Sequence, residues 1–455
     1  MTRRAFLARS GAMSLLAVPW IIPASARGGN GTSASERINV GLIGIGAMGS
    51  GHLRVLAGRK EAQLVAVCDV DRVRREGGAR QVDQTYAAQR GAGKFQACAA
   101  INDYRELLAR ADIDGVVIAT PDHWHALLAI HAAQAGKHVY CEKPVSLTIR
   151  EGREMVETVR RYARTFQTGT QYRSIPTIRQ VCQFVREGGL GQVKSVFTIW
   201  GKTAVPTVGD SYVPLDPDLP AEPAPEGLDW NLWVGPAAWH PYNAAYHRNP
   251  IPGVVPWTFC EAFGAGAVTN YHSHAADVIQ YAIGRETSGP VEILHPADGQ
   301  FPTVTCRYAN GVLLHHVDHW GQVKELYQAV PADARLAGLF GGVFVGERGW
   351  LTSMSGAGPV EGGPEEILKE MRLTTRQVNI GANNHHANWF ECIRSGGQPR
   401  AHAEIGHRSA SLGHLVALSF RLGRSLRWDP AQEVFLGDDE ANRLRSRARR
   451  EPWQA

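Results

Sequence analysis

The sequence has no apolar run long enough to cross a bilayer, no cysteines at CxxC spacing, no HExxH pair and no internal repeat. The only candidate span, Gly11 to Ile22, contains Pro19 and falls short of the roughly 20 apolar residues a crossing helix needs. The cysteines, at 68, 98, 141, 182, 260, 306 and 392, are scattered and odd in number, so neither a disulfide framework nor a zinc-knuckle spacing is expected. His272, His274 and Asp277 are ligand types, but no further ligand stands at a telling spacing, and no metal is expected. An excess of one charge is also missing. Lys and Arg number 48 against 43 Asp and Glu, a formal net charge of +5, part of it in Arg443, Arg445, Arg447, Arg449 and Arg450. That run reads as a solvated helix face, and no nucleic-acid partner is expected. What remains, 44% hydrophobic and 20% charged over 455 residues, is an ordinary globular composition with room for two domains.

What is present begins with Gly44-Ile45-Gly46-Ala47-Met48-Gly49. It follows a short apolar run, Ile38 to Ile43, and precedes a helix-like stretch from Ser50 to Gly58. In such a motif the glycines allow a tight turn, a close approach of pyrophosphate and close helix packing. The anion then sits at a helix N-terminus. A second apolar run, Gln63 to Cys68, ends at Asp69, 20 positions past the last glycine, where a ribose 2′-OH ligand is expected. A carboxylate there favours NAD. Arg72, Arg74 and Arg75 close behind it leave NADP possible.

The chain opens on Arg3-Arg4 before Phe6-Leu7, then the apolar stretch, then Ala24-Ser25-Ala26. This is the order of an n-region, an h-region and an A-x-A cleavage site, with the paired arginines of a twin-arginine signal. Residues 1–26 are therefore expected to be removed, leaving a periplasmic protein with no membrane anchor. Its partner during export would be the twin-arginine translocase, a route that carries folded proteins and suits one that loads a dinucleotide in the cytoplasm.

Residues 27–36 read as a Gly/Ser-rich mature N-terminus. From 37 to 165, strands and helices alternate: helix Asp103 to Arg110, strand Gly115 to Thr120, helix Leu127 to Ala135, strand His138 to Cys141, helix Glu151 to Tyr162. This predicts an α/β Rossmann domain, a doubly wound parallel sheet with ligand at the strand C-termini. From 166 to 455 the pattern predicts an α+β domain with a large, mostly antiparallel open sheet. Its strands are expected at Val193–Trp200, Thr303–Tyr308, Val312–His316 and Gly342–Val345, and its helices at Ile178–Glu187, His274–Ile283 and Glu404–Gly423. Residues 203–229 hold six prolines and read as a surface arm, lid or subunit contact.

Several residues could carry chemistry. Lys143 follows the strand His138–Cys141, and Pro144 keeps it extended. A lysine desolvated beside a cofactor has a lowered pKa and can exchange a proton with a carbinol. His123 and His125, in the loop after Gly115–Thr120, either touch nicotinamide ribose or substrate or cap the next helix. Asn270-Tyr271-His272-Ser273-His274 opens an apolar helix on which His274, Asp277 and Tyr281 share one face. The aromatics Trp230, Trp233, Trp239, Tyr242, Tyr246 and Trp257 could stack on a sugar, though core packing accounts for most of them. Asn383, Asn384, His385, His386 and Asn388 are either a polar cluster or a helix N-terminus.

These motifs together resemble the Gfo/Idh/MocA oxidoreductases, which include glucose–fructose oxidoreductase and inositol dehydrogenase. Ala119-Thr120-Pro121 with His125, and Glu142-Lys143-Pro144, are the most specific matches. The stretches around Gly169-Thr170-Gln171, Trp230 to Pro236 and His407-Arg408-Ser409 look like an exported bacterial branch. The resemblance implies cofactor contacts from Gly44, Ile45, Gly46, Ala47, Met48, Gly49, Asp69, Thr120, Pro121, His125, Glu142 and Lys143. On the substrate side it implies Lys143, Gln171, Tyr172, Arg173 and Asp277. The family pairs its lysine with Asp-x-Gly-x-His. Here the histidine falls on His274, the aspartate on Asn270 and the glycine on His272, so Lys143, His274, Asn270 and His272 are the catalytic candidates. An NAD(P)-dependent oxidoreductase acting on a sugar or polyol, with tightly bound cofactor and forming a homo-oligomer, is the expectation. A redox-assisted glycoside hydrolase or lyase, and a non-catalytic sugar-binding protein, are the alternatives.

Overall fold

The structure is a computed structural model. It describes residues 37–91, 95–199, 216, 219–247, 257–327, 330–331, 334, 336, 340–353, 360–374 and 384–454. The signal segment, residues 27–36, most of the proline-rich arm and Asn383 lie outside these residues. No helix among those described is long and apolar enough to cross a membrane.

The first half folds as the alternation of strands and helices demands. Strands β1 (Ile38–Ile43), β2 (Ala62–Cys68), β3 (Ala99–Ile101), β4 (Gly115–Ile118), β5 (His138–Cys141) and β6 (Phe166–Thr168) form one parallel sheet in the order β3-β2-β1-β4-β5-β6. Apart from β3, its strands are almost wholly buried, which explains their continuous apolar runs. The strand order reverses between β1 and β4, and a crevice opens there at the strand C-termini. Helix α1 (Ala47–Ala57) follows the glycine loop. Helix α2 (Arg72–Arg90) escapes the sequence reading because it is polar nearly throughout and buries only Gly78, Ala79, Val82 and Tyr86. Asp71 caps it, accepting from the backbone N–H groups of Val73 and Arg74.

Among the described residues, the second half is built on a nine-stranded sheet. Strands β7 (Val193–Ile199) and β8 (Leu313–Val317) pair in parallel at its centre, and the other pairings are antiparallel. Helices α3 (Pro176–Arg186), α4 (Gly266–Ala282) and α5 (Ala403–Leu422) join its core, with Val181, Ile279, Leu412 and Leu415 in the cluster that holds Val196, Leu314 and Phe344.

Two expectations shift. Strand β6 lies past the expected boundary at 165 yet pairs with β5, so the first sheet closes at Thr168. A helix late in the chain, α6 (His385–Ser395, between α4 and α5 in sequence), buries Trp389 and Phe390 against Val40, Leu42 and Tyr140 of the first half. The two halves therefore share a core. Helix α4 starts at Gly266, eight residues before the expected His274, because Asp122 from the first half accepts the N–H of Ala265 at its N-terminal end.

Candidate active site

One cleft runs along the C-terminal edge of the first sheet. It is lined by Gly44, Gly46, Asp69 and Thr120, and by Glu142, Lys143 and Asn270. Two glycines explain its shape. Gly44 has a φ of +90°, and a Cβ there would lie 2.6 Å from the carbonyl of Ala119. At Gly46 a Cβ would meet nothing within 4 Å. The backbone is thus bare toward the cleft where helix α1 begins, which fits an anionic pyrophosphate. Asp69 Oδ2 accepts from the N–H of Ile45 at 2.7 Å and Oδ1 from that of Asp71 at 2.9 Å. It therefore braces the glycine loop and retains lone pairs for a ribose hydroxyl. Burial raises its pKa, partly offset by those two N–H groups. Arg72 pairs with Glu226, Arg75 donates to Asn102, and Arg74 pairs with Asp71 while lining the cleft. Ile45 completes the loop, and Ala47, Met48 and Gly49 form the first turn of α1, with Met48 half exposed at the rim.

The loop after β4 holds two histidines as struts. His125 places its ring nitrogens 2.9 Å from the carbonyl of Thr120 and 2.6 Å from that of Pro144. His123 sits 3.2 Å from the carbonyl of Phe263 and 3.0 Å from that of Trp233. Burial drives the His123 pKa down to about 3. His125 and Pro121 line the cleft, but the polar atoms of His125 are committed to backbone.

Lys143 is where the two halves meet. Its Nζ donates to Asn270 Oδ1 at 2.8 Å and to the Asn270 carbonyl at 3.1 Å. An ammonium has three donors, so one remains for the cleft. Asn270 Nδ2 in turn donates to both oxygens of Asp122, at 3.3 and 3.0 Å. That pairing fixes the amide with its oxygen toward Lys143. The carboxylate that the family pattern sets at 270 is thus supplied one hydrogen bond further back, from the other domain. Burial lowers the Lys143 pKa, opposed by the charges of Glu142 and Asp122. Burial also raises that of Asp122.

Behind Lys143, Glu142 accepts from His52 Nε2 at 2.9 Å and from Gln171 Nε2 at 2.7 Å. His52 Nδ1 stands 2.9 Å from His386 Nε2. His386, which burial holds neutral with a pKa of about 3, can donate to His52, and His52 to the carboxylate. Burial alone would raise Glu142, but the His52 hydrogen bond and the nearby Lys143 hold it down to about 2. Neither His52 nor its link to His386 was anticipated from sequence. His52 stands in the helix after the glycine loop, and only the packing of α6 brings His386 to it.

His274 lies one turn beyond Asn270 on α4. Its ring packs 4.7 Å from Tyr172 and 5.2 Å from Phe340. Burial, with Lys143 nearby, holds its pKa down to about 3, so it is neutral. Its Nδ1 is buried with no hydrogen-bond partner among the described residues.

Three expected site residues lie elsewhere. His272 is two positions from Asn270, about 200° round the helix, and packs 5.0 Å from His316 over the second sheet. Arg173 and Asp277 are spent on each other, with contacts of 2.7 and 2.8 Å, and are almost fully buried. The aromatic segment follows the packing reading. Trp230 stacks on Trp233 at 4.6 Å, and only Trp233 and Trp257 of that set line the cleft. Asn384 caps α6.

Known proteins match this arrangement. Residues 38–170 match the Gfo/Idh/MocA oxidoreductase family, NAD-binding Rossmann fold, and residues 179–318 and 373–455 match that family's C-terminal alpha/beta domain. A levoglucosan dehydrogenase of Pseudarthrobacter phenanthrenivorans is 33% identical over 164 residues, 35% of this chain and 40% of that protein. A glycosyl hydrolase family 109 protein of Shewanella pealeana is 34% identical over 129 residues, 28% of this chain and 27% of that protein. The chain thus spans well under half the length of these curated relatives. The WlbA dehydrogenase of Bordetella pertussis, solved with NADH and UDP-GlcNAcA, shares the fold at a TM-score of 0.54 and 19% identity, covering 87% of this chain and 98% of that one. A levoglucosan dehydrogenase solved with NADH and levoglucosan aligns at a TM-score of 0.52 and 16% identity, covering 88% and 100%.

Proposed function

The chain belongs to the Gfo/Idh/MocA oxidoreductase family and has its NAD-binding Rossmann domain; from that premise we propose that it oxidises or reduces a hydroxyl-bearing carbon of a sugar, polyol or glycoside. The observation that carries this reading is Lys143. It is a desolvated amine in the cofactor cleft, held at two of its three donor sites by Asn270. NAD(H), when bound, supplies the hydride acceptor or donor. Lys143 takes the hydroxyl proton as the carbon is oxidised and returns it in reduction. Burial eases the neutral amine that the first role needs, and Asp122 and Glu142 stabilise the ammonium that results. His274, neutral, orients the same oxygen. Gln171, through Glu142, and Tyr172, against His274, shape the substrate side. Relatives named for levoglucosan, and a fold neighbour holding a nucleotide sugar, support the substrate class.

A second reading is transient oxidation that assists glycoside hydrolysis, favoured by the relatives named glycosyl hydrolase family 109. Their similarity covers only 28–35% of this chain, so most of it is unmatched by them. The two readings separate in one experiment. Protein purified without added nucleotide is analysed by mass spectrometry for bound NAD(H), then offered a sugar and glycoside panel with nicotinamide absorbance followed. Net NADH formation supports the dehydrogenase. Hydrolysis without net NADH sinks it in favour of the second reading.

Export through the twin-arginine route belongs to the same proposal, because a compartment poor in free NAD calls for a cofactor loaded before translocation. Changing Arg3 and Arg4 to Lys should leave precursor in the cytoplasm. Unchanged periplasmic yield would remove this part.

A further inference from the structure

We propose that Asp216, His240 and Cys260 form a zinc site that ties Asp216 to the segment leading into helix α4. This is independent of the hydride chemistry. One ligand atom from each residue lies within 4.8 Å of the other two. His240 Nε2 is 2.8 Å and Cys260 Sγ 3.7 Å from Asp216 Oδ1. Around tetrahedral zinc, with bonds of about 2.0 Å to N and O and about 2.3 Å to S, ligand atoms stand roughly 3.3–3.8 Å apart. The three atoms reach that arrangement by moving about an ångström or less.

Two further observations point to a cation. His240 Nδ1 lies 2.9 Å from the carbonyl of Ala238, which can only accept. The Nδ1 proton is therefore fixed, and Nε2, 2.8 Å from Asp216 Oδ1, is the nitrogen left to meet either a proton shared with that carboxylate or a cation. A ligating histidine commonly has this form: one ring N–H on a backbone carbonyl, the other nitrogen free for metal. Cys260 is fully buried in the aromatic cluster with Trp233, Tyr246 and Phe263. Its S–H is directed at Asp216 Oδ1, 3.7 Å away, the same oxygen that His240 Nε2 approaches. Without a cation, burial pushes the thiol up to about 12 and the Asp216 charge adds to this, so it stays protonated. On binding, the S–H bond breaks, the S–Zn bond forms, and the proton leaves to solvent. Thiolate and carboxylate together balance the 2+ charge. With three protein ligands the fourth position falls to water, and the exposed side of Asp216 admits it.

The consequence reaches the cleft. Trp257 and Thr258, just before Cys260, line it, as does Trp233. An ion at this site would hold that wall in place.

The test uses the full chain, purified without a histidine tag. Elemental analysis should find about one zinc per chain. After chelation, cobalt(II) titration should give a thiolate-to-cobalt charge-transfer band and tetrahedral d–d bands. Cys260→Ser should abolish the charge-transfer band. Because a buried substitution risks the fold, Asp216→Asn at an exposed position is the second variant. It should keep the metal-free melting temperature while losing about 10-fold or more in cobalt affinity. The site is overturned if cobalt binds without a thiolate band, or if wild type and Asp216→Asn bind it equally or not at all. The trio is then only a hydrogen-bonded ion pair.

Discussion

Helix α4 carries two buried polar networks within three turns, and they are built to opposite specifications. Around Asp277 every strong group is matched. Arg173 donates to both Asp277 oxygens, to Glu286 and to the carbonyl of Arg400, and the Asp277 charge outweighs burial to hold Arg173 protonated. Around Asn270 the matching stops short. Lys143 keeps a donor site toward the cleft, and His274 Nδ1 has no partner among the described residues. A satisfied buried pair resists loss of either member, whereas groups left short of partners can bind and transform something else. The pair at one end of the helix is thus closed on itself, while at the other end Lys143 reaches the cleft with a donor site open.

Four measurements probe this contrast. Lys143→Ala should cost about 10²–10⁴ in turnover, the usual range for a proton-transfer group, with nucleotide affinity and melting temperature nearly unchanged. Near wild-type turnover on a confirmed substrate would erase the distinction. Arg173→Leu should do the reverse. It strands the carboxylate of Asp277 in the core, so denaturant unfolding should register a loss of about 3–5 kcal/mol, while the folded fraction keeps its kcat. A variant that is stable but inactive would move Arg173 into the active site.

Acid should act on the histidines first. His123, His272, His274 and His386 are held at about 3 by burial, below their ordinary 6.5. The unfolded chain therefore binds more protons between those values, and stability must fall as pH drops from 6.5 toward 3. Glu142, held at about 2 against an ordinary 4.5, adds a further loss below 4.5. Denaturant midpoints that stay flat from pH 6.5 to 4.5 would contradict the buried neutral rings.

The smallest effect is the most specific. Asp122→Asn removes an anion near Lys143, so the lysine limb of the pH–rate profile should move to lower pH. Asn270→Asp adds an anion and should move it up. If both profiles superimpose on wild type, the Lys143–Asn270–Asp122 chain does not govern proton transfer.

Much of this was legible in the residues. The cofactor cleft comes from one contiguous stretch in which glycine spacing, flanking apolar runs and Asp69 each constrain the next. Lys143 was readable because it follows a buried strand and precedes proline. His272 packs against His316 instead of lying beside Asn270, because linear proximity to His274 says nothing about the opposite side of a helix whose start is set by a distant carboxylate. Arg173 and Asp277 look like site residues in sequence, since an ion pair across 104 positions leaves no local trace.

The sequence by itself determined the parallel-sheet class of the cofactor half and the places of the glycine loop and Lys143 at its strand ends, because these depend on local periodicity, turn chemistry and short-range spacing. Only the tertiary structure decided which polar groups remain available. Asp122 stands behind Asn270, His386 behind His52, and Arg173 against Asp277 because helices far apart in the chain pack over shared apolar faces. Hydrogen-bond satisfaction is a property of those contacts and has no signature in any one segment.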